Sequence, residues 1–307
     1  MIDKVPVLFI IFNRLNVVER VFAQIKNYKP KQLFIACDGG RKERVGEDAQ
    51  CKQVQDYVLS QVDWECEVKT NFLNENLGPA KAVSKFLFWF FDNVEYGIIL
   101  EHDCLAHRDF FDYCAELLIK YKDDDRIATI SGYNVLGKED IKESYYFTYT
   151  QQLWGWAAWR RTLEGYDIYM KDYSLKEFRK NIKPILHAKN ERLVFIDKFL
   201  SMKKQRYNTW DMQLLYYSWR KRRFNIEPNC NLVSNIGFDE QGENCKDPNH
   251  FLANNKTYSI LPLQHPQDEI RWNKISDEKI YMKYWYKSKV QLMWRFVMRN
   301  FIMKRKF

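Results

Sequence analysis

The chemistry on offer in this chain begins with carboxylates. Glu101-His102-Asp103 follows directly on an apolar run at 97–100. Carboxylate oxygens are hard ligands that suit magnesium or manganese, ions that keep several waters and bind substrate phosphates beside one or two protein carboxylates. A cation held there could neutralise a departing diphosphate; the local alternative is an acidic turn before a helix at 109–118. Asp38 ends another apolar run and precedes Gly39-Gly40, which let a ligand approach the backbone. Its carboxylate could accept hydrogen bonds from a base N–H or ribose hydroxyls, or close an ordinary Asp-Gly turn. Arg14 suits a phosphate or a base face, and equally a solvent position. Asp211, in Thr209-Trp210-Asp211, opens an amphipathic helix. It either complements the helix dipole or takes a proton from an attacking hydroxyl.

The aromatic run Leu153-Trp154-Gly155-Trp156-Ala157-Ala158-Trp159 offers planes for sugar C–H faces, although core packing is the commoner use of such side chains. The five histidines show no metal spacing. No Walker loop, Gly-x-Gly-x-x-Gly or His-Glu-x-x-His occurs, which argues against NTPase, dinucleotide-binding and zinc-protease readings.

Elements that must position these residues alternate through the first half. Strands are expected at 5–12, 33–37, 66–72 and 97–100, with helices at 17–28, 47–60 and 80–91, the last entered through Pro79. Strand and helix in alternation imply a mainly parallel, doubly wound sheet, whose ligands sit beyond the strands' carboxyl ends. Arg14, Asp38 and the 101–103 triplet all fall at such ends. The second half is less regular: strands at 126–133 and 145–150, helices within 175–205 and at 210–222, and a stretch at 225–265 rich in Asn, Pro and Gly that is expected to be mostly loop.

Composition supports a folded protein, with 46% hydrophobic and 16% aromatic residues in 307. Seven dispersed cysteines without a Cys-x-x-Cys pair suggest reduced thiols in a cytoplasmic protein. Neither a secretory leader nor a spanning apolar stretch is recognised. The net charge of +9 is local: nine Lys or Arg and no acid follow Glu278. A neutral body with a cationic end argues against a nucleic-acid surface. Aromatic and basic residues interleave over 279–307, a pattern able to lie in an anionic membrane surface or to pack as a basic helix on the body. Three segments are therefore expected: 1–240, a loop-rich 241–278, and a basic amphipathic 279–307.

Taken in order, several short motifs form a recognisable series. They are Phe12-Asn13-Arg14, Ile35-Ala36-Cys37-Asp38-Gly39, Asn76-Leu77-Gly78-Pro79-Ala80-Lys81, Tyr96 to Cys104 with Asp109-Phe110-Phe111-Asp112-Tyr113, Ser131-Gly132-Tyr133-Asn134, Leu153-Trp154-Gly155-Trp156 and Trp210-Asp211. The series resembles GT-A glycosyltransferases, most closely the inverting N-acetylglucosaminyltransferase I type and similar bacterial sugar transferases, and it runs from about Val5 to Phe238. The resemblance implies a Rossmann-like α/β fold with a mainly parallel central sheet flanked by helices, and a UDP-sugar donor contacted by Arg14, Asp38, Asn76, Lys81, Glu101 and His102. It makes Asp103 the ligand of a manganese or magnesium ion and Asp211 the catalytic base. Asn134, Trp154, Gly155 and Trp156 would surround the donor sugar and acceptor.

The implied activity is inverting transfer to a hydroxyl of a glycan or lipid-linked glycan, as in bacterial surface polysaccharide synthesis; the basic tail adds the expectation of peripheral attachment to the cytoplasmic face of the inner membrane. His102 departs from the pattern, since the family usually has an acid there; its neutrality could weaken metal affinity or shift donor preference. Two other classes compete: a sugar-phosphate nucleotidyltransferase, against which stands the missing Gly-rich basic loop after the first strand, and a non-catalytic carbohydrate- or membrane-binding protein with a degenerate site.

Overall fold

The computed structural model describes residues 4–205, 207–240, 242, 246–267 and 270–298. Four strands and three helices alternate first: β1 (Val7–Ile11), α1 (Leu15–Tyr28), β2 (Gln32–Cys37), α2 (Glu47–Ser60), β3 (Glu67–Phe72), α3 (Gly78–Asn93) and β4 (Tyr96–Glu101). Then follow β5 (Cys104–Ala106), α4 (Asp109–Lys120), β6 (Ile127–Ser131), β7 (Tyr145–Thr148) and β8 (Trp156–Trp159). Three helices come next, α5 (Leu175–Ile182), α6 (Lys189–Lys203) and α7 (Asp211–Arg220), and two short strands, β9 (Phe224–Pro228) and β10 (Val233–Asn235). The chain closes with α8 (Lys274–Ile280), a π-helical turn at Tyr281–Trp285 and α9 (Lys289–Val297).

Eight strands form one sheet in the order β3-β2-β1-β4-β8-β6-β9-β7. The β3-β2-β1-β4 half is parallel throughout, as the alternation of strand and helix implies. The other half is mixed: β8 runs antiparallel to both β4 and β6, β9 parallel to β6, and β7 antiparallel to β9. Six of the eight strands thus share one direction, as a mainly parallel sheet requires, and β8 and β7 run against it.

Strand β1 shows why helices cover both faces. Successive side chains point to opposite sides. Val7, Phe9 and Ile11 pack with Val18 and Phe22 of α1, Val54 and Val58 of α2, and Phe111 of α4. Leu8 and Ile10 join the opposite core, with Val83, Phe86 and Phe90 of α3, Phe178 of α5, Phe199 of α6, and Tyr216 and Trp219 of α7. A strand buried on both faces reads as an unbroken apolar run.

Among the described residues the stretch 225–265 is mostly loop, as expected, and contains most of β9 and all of β10. Strand β9 carries Asn225 and Glu227 fully buried, so its polar residues mask a core strand. The boundary at 278/279 falls inside α8, whose Asp277 is buried and accepts hydrogen bonds from Tyr149 N at 2.9 Å and Thr150 N at 3.2 Å, as well as from Thr148 and the Trp272 indole. Ile280 is fully buried, and Trp285 packs against Phe195. The segment from 274 to 297 is thus part of the body, and the basic residues of 299–307 lie outside the described residues.

Candidate active site

The register of the sheet sets one edge. Ile10 of β1 lies between Ala36 of β2 and Glu101 of β4, so the chain leaves three adjacent parallel strands at one level, toward Arg14, Asp38 and Asp103. Because β8 runs the other way, its start reaches the same edge: Trp156 pairs with Ile99 and Ser131, and Gly132 N donates to Gly155 O at 2.7 Å. The ring of Trp210 stacks on Trp156 with centroids 5.7 Å apart, which brings the start of α7 to this edge as well.

Glu101, Asp103 and Asp211 meet there. Burial pushes the Glu101 carboxyl up to about 8, and the charges of Asp103 and then Asp211 add to the shift. All three side chains offer carboxyl oxygens at this edge. Asp211 stands in the first turn of α7, accepting from the Thr209 hydroxyl and from Met212 N at 2.8 Å. The preceding residues are tied to α3: Asn208 Oδ1 accepts from Ala80 N at 3.1 Å, and the Tyr166 hydroxyl bridges Ser84 and Trp210 O at 3.0 and 3.1 Å.

Asp103 is shaped by a segment that sequence reading left as loop. β10 pairs with β5, Ile236 N donates to Asp103 O at 2.9 Å, and the Asn235 amide donates to Asp103 Oδ2 at 3.3 Å. A Cβ on Gly237 would lie 2.4 Å from Asp103 Oδ2, so a side chain there would displace the carboxylate. The Cys104 thiol, held protonated by burial, donates to Oδ1 at 3.6 Å. His102 is half-buried between β4 and β5.

Several expected ligand contacts have structural duties. Arg14 is 7% exposed; it donates to Gly237 O at 3.1 Å and pairs with Asp239, which holds the 237–239 loop beside Asp103. Its Nε is buried without a partner. Asp38 accepts from the backbone N–H groups of Gly39, Leu77 and Gly78 at 3.0, 2.9 and 2.9 Å, fixing the entry to α3. Burial nonetheless pushes its carboxyl up, the three amides opposing. The Asn76 amide donates to Gly39 O at 2.8 Å and joins the same two loops, and Lys81 is exposed in the first turn of α3.

Trp154 is half-exposed and packs on Tyr133 and Phe238, with centroids 4.6 and 5.8 Å away. Gly155 has φ +62 and sits against Val233 and Leu100, so a side chain would fit neither backbone nor space. Trp156 is buried, with its indole N–H unpartnered. Asn134 is 1% exposed; its amide donates to Pro228 O at 2.7 Å and its Oδ1 accepts from Leu136 N at 2.8 Å. It holds the loop after β6 from inside.

Two further side chains near Asp211 had no signal in the sequence. Burial pushes the Tyr284 hydroxyl up to about 12, and Asp211 adds to the effect. Burial also pushes the Lys198 amine down to about 8, with Arg295 adding to this and Asp211 opposing it; its Nζ lies 4.3 Å over the Trp285 ring. Lys198 comes with α6 and Tyr284 with the C-terminal segment.

Among the described residues no three His, Cys, Asp or Glu side chains are grouped to hold a metal ion by themselves. The donor set at Asp103 is nonetheless hard carboxylate oxygen, and the uncompensated negative charge felt at Glu101 is what a cation would relieve. This fits an ion shared between one protein carboxylate, water and substrate phosphates.

No family model and no curated protein matches the chain. Solved structures with a partial likeness include the mannosyltransferase PcManGT from Pyrobaculum calidifontis in complex with GDP-Man and Mn2+, at 14% identity over 70% of this chain and 68% of that chain, with a TM-score of 0.38. Another is a UDP-glucose pyrophosphorylase complexed with UDP-glucose, at 10% identity over 75% and 93% of the two chains, with a TM-score of 0.41. A third is the glycosyltransferase GlyE in Streptococcus pneumoniae TIGR4, at 10% identity over 73% and 45%, with a TM-score of 0.36. Likeness at this level carries no argument about activity.

Proposed function

We propose that the chain is an inverting glycosyltransferase that moves a sugar from a UDP-sugar to a hydroxyl of a glycan or lipid-linked glycan. The observation that carries this reading is the meeting of Glu101, Asp103 and Asp211 at the carboxyl edge of a parallel half-sheet, where α/β folds bind their ligands. Asp103 would hold a manganese or magnesium ion, whose bound charge neutralises the diphosphate as it leaves. Glu101, two residues before the ion's ligand, would contact the donor sugar. Asp211 takes the proton of the acceptor hydroxyl as its oxygen forms the new bond to the anomeric carbon and the bond to the diphosphate breaks. The loops joined by Asp38 and Asn76 form the nucleotide side of the cleft, with Lys81 in the helix turn that follows.

Asp211→Asn tests this directly, because it keeps the shape of the side chain and removes its basicity. Transfer from UDP-sugars should fall by about a hundredfold or more, while stabilisation of the protein by UDP with manganese stays unchanged in a thermal-shift assay. Undiminished transfer would refute the assignment of the base. Release of pyrophosphate from a nucleoside triphosphate and a sugar phosphate would instead reveal a nucleotidyltransferase.

A further inference from the structure

Helix α9 has two faces of different use. Its inner face is fixed to α6: Arg295 Nε donates to Asp197 Oδ2 at 2.8 Å, its terminal nitrogen donates to the Tyr207 hydroxyl at 2.9 Å, and Leu292 packs into the core cluster. That orientation turns Val290, Met293, Trp294 and Val297 outward, with exposures of 69%, 66%, 62% and 40%. The spacing i, i+3, i+4, i+7 is the apolar stripe by which a helix normally meets a core, yet here it meets solvent. Met282 and Tyr286, just before the helix, are exposed as well. The helix is preformed, since Ser288 and Gln291 cap its start reciprocally.

We propose that this outward face of α9 docks in the interface of an anionic lipid bilayer. Charge selects the occupant. Lys283 and Lys289 are exposed on the same segment, the sequence adds Arg299, Lys304, Arg305 and Lys306, and no acid follows Glu278. A second copy of the chain would bring the same cationic segment against itself, whereas anionic headgroups complement it. Tryptophan beside small apolar residues and lysines is the composition that lies at headgroup level. Among the described residues no helix is long and apolar enough to span a membrane, so the helix would lie in the surface.

The test is flotation of the full chain with vesicles of phosphatidylcholine alone or mixed with phosphatidylglycerol. The chain should float with the mixed vesicles, fail to float with the neutral ones, and be released by salt. The triple variant Val290→Ser, Met293→Ser, Trp294→Ser changes only exposed side chains, so its melting temperature and donor hydrolysis should match the parent, while its vesicle binding should fall at least tenfold. Equal flotation of variant and parent would overturn the proposal, as would a parent that does not float. A parent that is dimeric by light scattering and a variant that is monomeric would overturn it in favour of self-association. Flotation requires no turnover, and donor hydrolysis requires no lipid, so failure of docking and failure of the proposed activity are separately visible.

Discussion

Gly237 lacks a side chain where Asp103 needs the space. An added Cβ would meet Asp103 Oδ2 at 2.4 Å and Cγ at 3.1 Å, so Gly237→Ala must turn the carboxylate away from its place beside Asn235. The expected outcome is a loss of manganese-stimulated donor hydrolysis of about tenfold or more, as small misplacements of a reacting group cost, with little change in melting temperature because a side chain can yield. Gly39 provides the contrast. Its Cβ would lie 2.5 Å from the carbonyl carbon of Glu75, which is backbone and cannot yield. Gly39→Ala should therefore lower the melting temperature. Unchanged hydrolysis in Gly237→Ala would show that the position of Asp103 does not matter to the reaction.

Among the elements, β1, β2 and β4 were legible because each strand's pattern is governed by one local fact, burial on both faces, and β3, a half-exposed edge strand, through its place in the alternation with helices. Strands β8, β9 and β10 were not, since β8 is four residues of Trp and Ala, β9 buries Asn225 and Glu227, and β10 is three residues within a polar stretch. Their place in the sheet depends on partners distant in sequence. The same holds within the site: Asp103, Glu101 and Asp211 were visible as carboxylates at element ends, but Asn235, Gly237, Lys198 and Tyr284 belong to it only through tertiary contact. The C-terminal segment shows how charge counting misleads, because its excess of lysine is real while its inner face, with Ile280 and Tyr281, is core. Asp277 anchors it. Asp277→Ala would strip the acceptor from Tyr149 N, Thr150 N and the Trp272 indole, at a cost of about 3 kcal/mol, or roughly 5–10 °C in melting temperature. Calorimetry of that variant checks this; an unchanged transition would mean that the segment is held elsewhere.

Over the whole molecule, the seam between this segment and the body also sets how stability varies with pH. Burial pushes Glu191 up to about 7, with Asp277 and Glu278 adding to the shift, and it pushes Glu227 well above the ordinary glutamate range, with Asp277 and Glu139 adding. Glu227 is fully buried, with Oε1 unpartnered and Oε2 accepting from Gln152 Nε2 at 3.1 Å. A carboxyl whose folded-state pKa is raised makes the native state hold more protons than the unfolded chain, so stability falls as pH rises above 4.5 through the raised value. Carboxylates held low act the other way: Asp172, held by the Tyr217 hydroxyl and Arg220, and Asp124, held by Arg126, contribute stability above the ordinary aspartate value that is lost as pH falls. The two sets act in opposite directions, so stability declines as pH falls below the ordinary carboxylate range and as it rises above it toward pH 8. Glu227→Gln keeps an oxygen for Gln152 and cannot ionise, so its melting temperature should decline less over that interval. Thermal scans of parent and variant across these pH values decide the matter, and parallel curves would mean that Glu227 holds as few protons in the folded chain as in the unfolded one.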